Sequence, residues 1–358
     1  MRTHLRAAVF GTTMAGALAL AGCSSTVSER RDLAPIPAAL LTEMQGRGMT
    51  PADPIVIRIF KEESELELWK RDRSGRYVLL KTYPLCRWSG QLGPKRREGD
   101  RQAPEGFYTV RRQQMNPNSQ FHLSFDLGFP NSLERAQGFT GTSLMVHGAC
   151  TSSGCFAMTD AGVAELYAVA REAFAGGAES FQVQSFPFRM TPRNLARHRR
   201  STHQAFWTNL REGNDHFLAS QRPPEVTTCG GRYRFNARAP DQATRLDPLR
   251  PCPELQLDAA IEAAVLARRQ TDDADVRQLV ATGLPAIRVE FTDGGMHGSF
   301  RDILQRDGVE RLRAMTSARV EVSRPQAVMA PPREVILEQA AASGGQASPS
   351  PTRVASQP

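Results

Sequence analysis

The chain has 358 residues and a mildly basic balance, with 45 Lys and Arg against 37 Asp and Glu and a formal charge of +8 at pH 7. Beyond the N-terminus no segment approaches the roughly 18 consecutive apolar residues of a membrane-spanning helix, which excludes a polytopic membrane protein. The charge favours no class of partner, because a GC-rich genome explains arginine richness as well as an anionic ligand does.

The N-terminus predicts export. Two arginines precede an apolar stretch at residues 7–20 that is too short to span a bilayer comfortably. It ends in Leu20-Ala21-Gly22-Cys23, which resembles a bacterial lipobox. We therefore expect residues 1–22 to be a signal peptide and Cys23 to be lipidated, the alternative being an ordinary signal peptide with a coincidental cysteine.

Lipidation of Cys23 would tether the mature protein to a membrane, and Ser24 after it favours the outer membrane. The expected location is therefore the periplasmic side, lipid-anchored, a compartment that excludes nucleic acid as a partner. Removal of residues 1–22 deletes two arginines and no acids, so the formal charge falls from +8 to +6.

Five cysteines remain after Cys23, an odd number for an oxidising compartment, which predicts one free thiol. Cys229 and Cys252 enclose a short loop and are candidates for a disulfide. Cys150 has two candidate partners, Cys86 and Cys155, and spacing alone does not choose between them.

Residues 23–52 lack periodicity and predict a tether with at most one short helix. The next segment, 53–190, predicts a domain that is mostly β with inserted helices. Its predicted strands lie at 55–60, 66–69, 77–80, 107–110, 121–125, 143–147 and 181–185.

One helix of this domain is clearly marked, from its N-cap Thr159 to about Ala173. Residues 191–323 predict an α-rich C-terminal appendage, and the Pro/Ala/Ser-rich segment 324–358 predicts a disordered tail. The appendage's elements are expected as helices near 203–219, 255–270 and 300–315 and a strand at 286–291.

The loop 147–155 carries the chemistry. It places an imidazole, His147, and two thiols, Cys150 and Cys155, on one short segment that follows an apolar strand. A neighbouring imidazole is the usual means of generating a nucleophilic thiolate. Gly154 has no side chain, so a substrate carbonyl could approach the amides around Cys155. The local pattern indicates cysteine acyl transfer.

With this loop, the chain resembles the L,D-transpeptidase (YkuD-type) catalytic domain family, in its YafK-like branch. The resemblance extends over about residues 53–225, with the motifs in the family order. The matching segments are Cys86-Arg87-Trp88-Ser89-Gly90, Leu92-Gly93-Pro94-Lys95, Glu98 to Tyr108, Gly128-Phe129-Pro130-Asn131, His147 to Asp160 and Phe186 to Thr191.

The resemblance implies a β-rich fold that acts on peptidoglycan stem peptides without metal or cofactor. By position it makes Cys155 the nucleophile and His147 the base, with the Gly148 carbonyl orienting the imidazole. The amides of Gly154 and Cys155 would form the oxyanion hole.

Two positions depart from the common family pattern. Ser153 stands where many members carry a second histidine, and Ala157 stands where they carry an arginine thought to contact substrate. Ser153, Arg101 and Lys95 are the substrate-binding candidates, although a solvated charged face explains the two cations equally well.

The leading function is therefore a periplasmic cysteine enzyme for cross-linking, attaching or remodelling cell-wall material. One alternative is an amidase that detaches a wall-anchored lipoprotein from peptidoglycan, which is the activity associated with the YafK-like branch. An alternative of another class is a non-catalytic envelope lipoprotein that binds peptidoglycan. Replacing Cys155 should abolish turnover, whereas replacing Cys150 should leave the chemistry largely intact under reducing conditions.

Other candidate features are weaker. A zinc site built from His147, Cys150 and Cys155 lacks a fourth ligand. The glycine-rich segment 292–298 is expected to be a turn into the next helix rather than a cleft. We also expect His198 and His203 to lie at the surface.

Overall fold

The structure is a computed structural model that describes residues 30–241, 243–316 and 320–338. The predicted signal peptide at 1–22, the predicted lipidation site Cys23 and the residues beyond 338 lie outside these residues. In the part that is described, no helix is both long and apolar enough to cross a membrane.

The strands are β1 Ile55–Phe60, β2 Glu65–Arg71, β3 Tyr77–Pro84, β4 Arg87–Trp88, β5 Gly106–Arg111, β6 Met115–Asn116, β7 Ser124–Asp126, β8 Met145–His147, β9 Phe156–Ala157, β10 Ser180–Phe186, β11 Val226–Cys229, β12 Arg232–Phe235, β13 Ala237–Arg238, β14 Gln256–Leu257, β15 Ala286–Glu290 and β16 Arg333–Glu338. The helices are α1 Ala38–Gly46, α2 Ser132–Ala136, α3 Asp160–Ala175, α4 Pro192–Arg197, α5 Gln204–Ser220, α6 Ala259–Ala281, α7 Gly298–Asp307 and α8 Val309–Arg313. One-turn 3-10 helices lie at Arg31–Leu33, Arg112–Gln114 and Pro325–Val328.

The larger strands form a sheet in the order β3-β2-β1-β10-β5. Its central strand β1 is parallel to β10 and antiparallel to β2. All six residues of β1 are buried, as expected for an apolar strand covered on both faces. This sheet is the rigid base of the predicted β-rich domain.

A second sheet of short strands has the order β4-β9-β8-β7-β6. Within it β8 and β9 run parallel, with Val146 opposite Phe156 and His147 opposite Ala157. Strand β7 lies antiparallel on the other side of β8. The predicted catalytic loop therefore leaves one strand of this sheet and returns as the next.

Helix α3 confirms the predicted helix at 159–173. Thr159 is its N-cap and accepts a 3.2 Å hydrogen bond from the Gly162 N–H. The apolar face is buried in the core, through Val163, Leu166, Val169 and Ala170. The structure is thus sheet-rich with inserted helices, as the sequence predicted.

Three element boundaries differ from prediction for local backbone reasons. The strand expected at 121–125 begins only at Ser124, because His122 has a left-handed φ of 72°. The strand expected at 143–147 begins at Met145, because Ser143 has a φ of 57°. The helix expected at 300–315 is divided into α7 and α8 by Gly308, with a φ of 77°.

The predicted tether and tail both need correction. Within 23–52, helix α1 buries Leu40 and Met44 in the core, so the second half of this segment is packed. Within 324–358, β16 pairs with β15. Contact with the folded chain accounts for the described parts of these segments, α1 and β16, and local composition does not reveal such contact.

No structural break accompanies the predicted boundary at residue 190, since the described residues from Arg31 onward belong to one compact unit. Helix α5 packs directly on the β-rich part. A Cβ added at its Gly213 would lie 2.3 Å from the Phe107 ring and 2.5 Å from the Phe235 ring, so the close approach requires glycine.

Two disulfides resolve the open cysteine pairings. Cys86 is bonded to Cys150, with their Cα atoms 5.3 Å apart, and Cys229 is bonded to Cys252. Cys155 is the free cysteine of the described residues. The thiol predicted as nucleophile is therefore the one left reduced.

The two disulfides provide a matched stability test. Cys86 and Cys150 are separated by 64 residues, so the double alanine variant should lose about 4 kcal/mol of unfolding free energy through chain entropy. Urea denaturation measures this loss. Turnover of the folded variant should stay within about tenfold of wild type, because hydrogen bonds hold the catalytic loop independently. The Cys229/Cys252 double alanine variant, with 23 residues between the cysteines, is the control. A loss of turnover greater than about tenfold in the folded Cys86/Cys150 double variant would contradict the expectation that the disulfide acts on stability alone.

Candidate active site

Adjacent parallel strands bring the two principal residues together. His147 ends β8, and Cys155 directly precedes β9. The Met145 N–H donates to the Cys155 sulfur at 3.4 Å, so the thiol lies beside the start of β8. Met145 and His147 are two residues apart and therefore share one face of the sheet. The imidazole thus lies at the end of one strand of this short sheet, and the thiol directly before the start of the neighbouring strand.

The imidazole is held in one orientation. His147 Nδ1 is hydrogen-bonded to the Gly148 carbonyl oxygen, which must accept, so Nδ1 carries the proton and Nε2 is left as the basic nitrogen. The Phe121 ring covers the imidazole at a centroid distance of 4.6 Å. This is the orienting role that the family resemblance implied for Gly148.

Gly148 itself is packed from several sides. A Cβ at this position would lie 2.7 Å from Asp160 Oδ1 and 2.8 Å from the Phe121 carbonyl oxygen. The same Asp160 oxygen accepts a 2.9 Å hydrogen bond from the Ala149 N–H. The first residue of α3 therefore anchors the loop just after the base, and a side chain at 148 would displace it.

Both reactive groups are uncharged near neutral pH. Burial lowers the pKa of His147 to about 4, against the opposing hydrogen bond to Gly148. Burial also raises the pKa of the Cys155 thiol, although the Met145 N–H opposes it; the Asp126 carboxylate raises this pKa and the Lys95 ammonium lowers it. The resting state therefore holds a neutral thiol and a neutral imidazole, protonation states that suit general-base catalysis.

This resting state predicts the pH dependence of thiol reactivity. Alkylation of Cys155 by iodoacetamide should rise continuously from pH 6 to pH 9, because the raised thiol pKa keeps the thiolate fraction small and rising throughout. Measurement of the alkylation rate by intact-protein mass spectrometry tests this, with Cys155→Ala as the control for other sites. A rate that is constant from pH 5 to pH 8 would instead indicate a preformed thiolate–imidazolium pair.

An open groove of about 680 Å³ lies next to the backbone that the Cys155 sulfur contacts. Ser143 and Met145, whose backbone groups contact the Cys155 sulfur, form part of its lining. Asp126 and Arg135 add a carboxylate and a guanidinium to the same groove. An extended peptide with charged side chains could therefore lie in this groove, next to the backbone contacts of Cys155.

Ser152 organises the turn that leads to Cys155. It is buried, and its Oγ accepts a 3.3 Å hydrogen bond from the Gly154 N–H and donates to the Cys155 carbonyl at 2.8 Å. Gly154 has a φ of 129°, which favours glycine. The Gly154 amide, predicted as an oxyanion donor, is thus held by a long hydrogen bond that a stronger acceptor would replace.

The structure brings two of the three substrate-binding candidates together. Arg101 donates from Nη1 to Ser153 Oγ at 2.5 Å, at the edge of the catalytic loop. Lys95 instead is buried, with its Nζ 2.6 Å from Asp100 Oδ1 and 2.8 Å from the Arg97 carbonyl oxygen. Its ammonium closes the 95–100 loop, so neither a solvated face nor direct guidance of substrate describes it.

Other predictions are resolved here. The disulfide removes Cys150 from the zinc alternative, and the described residues contain no cluster of three or more His, Cys, Asp or Glu suited to a metal ion.

The expectation of surface histidines is wrong for His198, which is buried 2.7 Å from Glu62 Oε2 and stacks on Phe188. His203 is half-buried beside Trp207. The surrounding arginines predict a solvated surface, whereas the His198 ring packs on Phe188 and the His203 ring on Trp207.

The sequence did not predict the contacts of Ser152, Asp160 and Asp293, although Asp293 was considered with His297 as a possible cleft pair and Asp160 stands in the matching motif. Asp293 is buried with its carboxylate 2.7 Å from Arg101 Nη2. The glycine-rich segment 292–298 was singled out, and it does lead into α7 with His297 as N-cap. Its contact with Arg101 joins residues 192 positions apart, a pairing with no local signal.

Comparisons with known proteins show the family of the chain. Residues 54–176 match the model of the YkuD family, the L,D-transpeptidase catalytic domain. The chain is 44% identical over 180 residues to "Putative L,D-transpeptidase YafK" of Escherichia coli strain K12, and equally to that of strain O157:H7. These alignments cover 50% of this chain and 73% of the relative.

Among solved structures, the helical cell shape determining protein Pgp2 from Campylobacter jejuni aligns at a TM-score of 0.33 and 14% identity, covering 70% of this chain and 80% of that one. These values are too low to support structural inference. The extent and identity of the YafK alignment, together with the domain match that includes His147 and Cys155, establish that the chain belongs to the L,D-transpeptidase (YkuD) catalytic domain family.

Proposed function

We propose that the protein is a cysteine enzyme that acts on peptidoglycan stem peptides through an acyl-enzyme on Cys155. One observation carries the proposal. The free thiol directly precedes the strand that pairs with β8, and β8 ends in an imidazole whose Nδ1 is bonded to Gly148, so that Nε2 is available as the base. A peptidoglycan-binding lipoprotein would need neither feature.

In the first half-reaction, His147 Nε2 accepts the proton from Cys155 as the sulfur attacks the peptide carbonyl carbon. The oxygen of the tetrahedral intermediate is stabilised by the amides of Cys155 and Gly154, the latter exchanging its long bond to Ser152 Oγ. The carbon–nitrogen bond then breaks, and the leaving amine takes the proton from Nε2.

In the second half-reaction, an acceptor attacks the thioester. His147 removes a proton from the incoming amine or water, the carbon–sulfur bond breaks, and the proton returns to Cys155. An amine acceptor gives transpeptidation or attachment of a protein to the wall. Water gives hydrolysis, which would release a wall-anchored lipoprotein.

The groove beside Cys155 suits such a substrate. Its lining includes Asp126 and Arg135, side chains of opposite charge, and stem peptides carry both ammonium and carboxylate groups. Ala157, at the position of the common substrate arginine, is buried in β9 and offers no charge. Recognition of the substrate therefore falls to other groove residues in this chain.

The proposed setting is the periplasmic face of the outer membrane, with Cys23 as the lipid anchor. It is supported by the lipobox-like segment 20–23. The variant Cys23→Ser should move the full-length protein from the membrane fraction to the soluble periplasmic fraction. Retention of this variant in the membrane fraction would overturn the anchoring.

Two muropeptides test the proposed function. Purified protein lacking residues 1–23, beside its Cys155→Ala variant, is incubated with a tetrapeptide stem and with a stem that carries a covalent lipoprotein remnant. Mass spectrometry identifies the products. Cross-linked or amino-acid-exchanged products from the tetrapeptide indicate a transpeptidase. Free remnant with a tripeptide stem indicates an amidase.

Either product must depend on Cys155. Product formation that persists in Cys155→Ala would contradict the acyl-enzyme. Failure of the wild-type protein to convert either substrate, together with undiminished binding to purified cell wall, would favour the non-catalytic alternative.

A further inference from the structure

Asp293 lies at the centre of a cluster of charges that joins the C-terminal appendage to the catalytic domain. Its Oδ2 lies 2.7 Å from Arg101 Nη2, 3.2 Å from Arg87 Nη2 and 3.4 Å from Arg324 Nη1. Burial on its own raises the pKa of Asp293, but the three arginines outweigh it and the pKa lies below its ordinary value. The carboxylate is therefore charged whenever the enzyme is folded near neutral pH.

Arg101 extends this cluster to the catalytic loop. The same Nη2 that meets Asp293 donates to the Ser152 carbonyl oxygen at 3.1 Å, and Nη1 donates to Ser153 Oγ. A bidentate arginine fixes the plane of its guanidinium against both partners. Asp293 thus determines where Arg101 holds the residues just before Gly154.

Ser323 is a second connection from the appendage to the same residue. Its Oγ accepts from the Ser152 N–H at 2.9 Å and donates to the Ser152 carbonyl oxygen at 3.2 Å. The buried Arg87 donates from Nε to the Ser323 carbonyl at 3.0 Å, which links this contact to the Asp293 cluster. Both backbone groups of Ser152 are therefore bonded to residue 323.

The appendage is docked too closely to act as a loose cover. The Gly295 N–H donates to the Trp88 carbonyl at 3.1 Å, and the Trp88 N–H donates back to the Gly295 carbonyl at 3.0 Å. A Cβ at Gly294 would lie 2.1 Å from the Trp88 carbonyl oxygen. The segment carrying Asp293 is held in place beside β4.

From these contacts we propose that the appendage is part of the active site, with Asp293 and Ser323 as positioning residues for the oxyanion-binding turn. They act through Ser152, whose Oγ is bonded to the Gly154 amide and the Cys155 carbonyl. The proposal rests on the proposed function. Both residues lie beyond the matched catalytic domain, which ends at 176, so this chain completes its site with its own C-terminal extension.

The test compares two reactions of the same thiol. Acylation by a carbapenem passes through an oxyanion, whereas alkylation by iodoacetamide does not. In Asp293→Asn we expect acylation to slow by about 10- to 100-fold and alkylation to stay within about twofold of wild type. Turnover of the stem peptide should lose kcat with little change in KM. Ser323→Ala should show the same pattern with a smaller loss, and Asp293→Glu should recover part of it.

Asp302→Asn is the matched control, since Asp302 is an exposed aspartate on α7 of the same appendage. It should leave both reactions unchanged. Unaltered acylation in folded Asp293→Asn and Ser323→Ala would overturn the proposal, as would a parallel loss of alkylation, which indicates general loosening. If Asp293→Asn fails to fold, the acylation and alkylation rates of Ser323→Ala decide whether the proposal holds. Wild-type protein that is alkylated but never acylated would overturn the proposed function itself, and this inference with it.

Discussion

Replacement of Cys155 by alanine is expected to lower turnover of stem peptides by at least about 10⁴-fold, because no other described thiol is free to replace it. The side chain is small and partly exposed, and its sulfur is hydrogen-bonded to backbone groups of Ser143 and Met145. The fold should therefore survive. Product formation by mass spectrometry measures turnover, and thermal unfolding checks the fold.

Cys155→Ser is a more conservative substitution that tests the same role. A hydroxyl preserves the size of the side chain but is far less acidic than a thiol, so turnover should be lost as well. Turnover within tenfold of wild type in either variant would mean that Cys155 is not the nucleophile, even though it is the free thiol.

Replacement of His147 by glutamine should lower kcat by about 10²- to 10⁴-fold, because glutamine offers no base for the Cys155 proton. The low pKa of His147, about 4, means that the wild-type base is fully neutral at working pH. The kcat of wild type should thus not fall between pH 7 and pH 5 through protonation of this residue. The pH–rate profiles of wild type and variant measure both effects.

The alkylation rate of Cys155 in His147→Gln should depend on pH in a specific way. Raising the pH generates thiolate without a base, so the alkylation rate of the variant should approach that of wild type above the thiol pKa. His203→Gln, a change at a half-buried histidine beside Trp207, is the control and should have little effect. Equal losses in both histidine variants would indicate a structural effect rather than removal of a base.

Much of the fold was predictable where local chemistry is unambiguous. Strand β1 was predicted at its observed bounds because six residues rich in β-branched side chains follow Pro54. Helix α3 was predicted from its N-cap and its periodic apolar face. Two of the boundaries that failed lie at His122 and Ser143, non-glycine residues with left-handed backbones that local sequence does not predict.

The site was predictable only in part for the same reason. His147 and Cys155 are eight positions apart, so one local motif carries both, and the parallel pairing of β8 and β9 places them at adjoining ends of neighbouring strands. Asp293 and Ser323 reach Ser152 and Arg101 from more than 170 positions away. No periodicity or spacing marks such contacts, and the aspartate stands in a segment that only predicts a turn.

The central claim is a covalent acyl-enzyme on Cys155, and mass spectrometry of the acid-quenched protein tests it most directly. Protein incubated with the tetrapeptide stem or with a carbapenem is quenched within seconds, weighed intact and mapped by proteolysis. The account predicts an adduct of the acyl donor's mass on the peptide containing Cys155, absent from Cys155→Ala. Turnover of stem peptide with no adduct from either reagent, or an adduct on another residue, would contradict it.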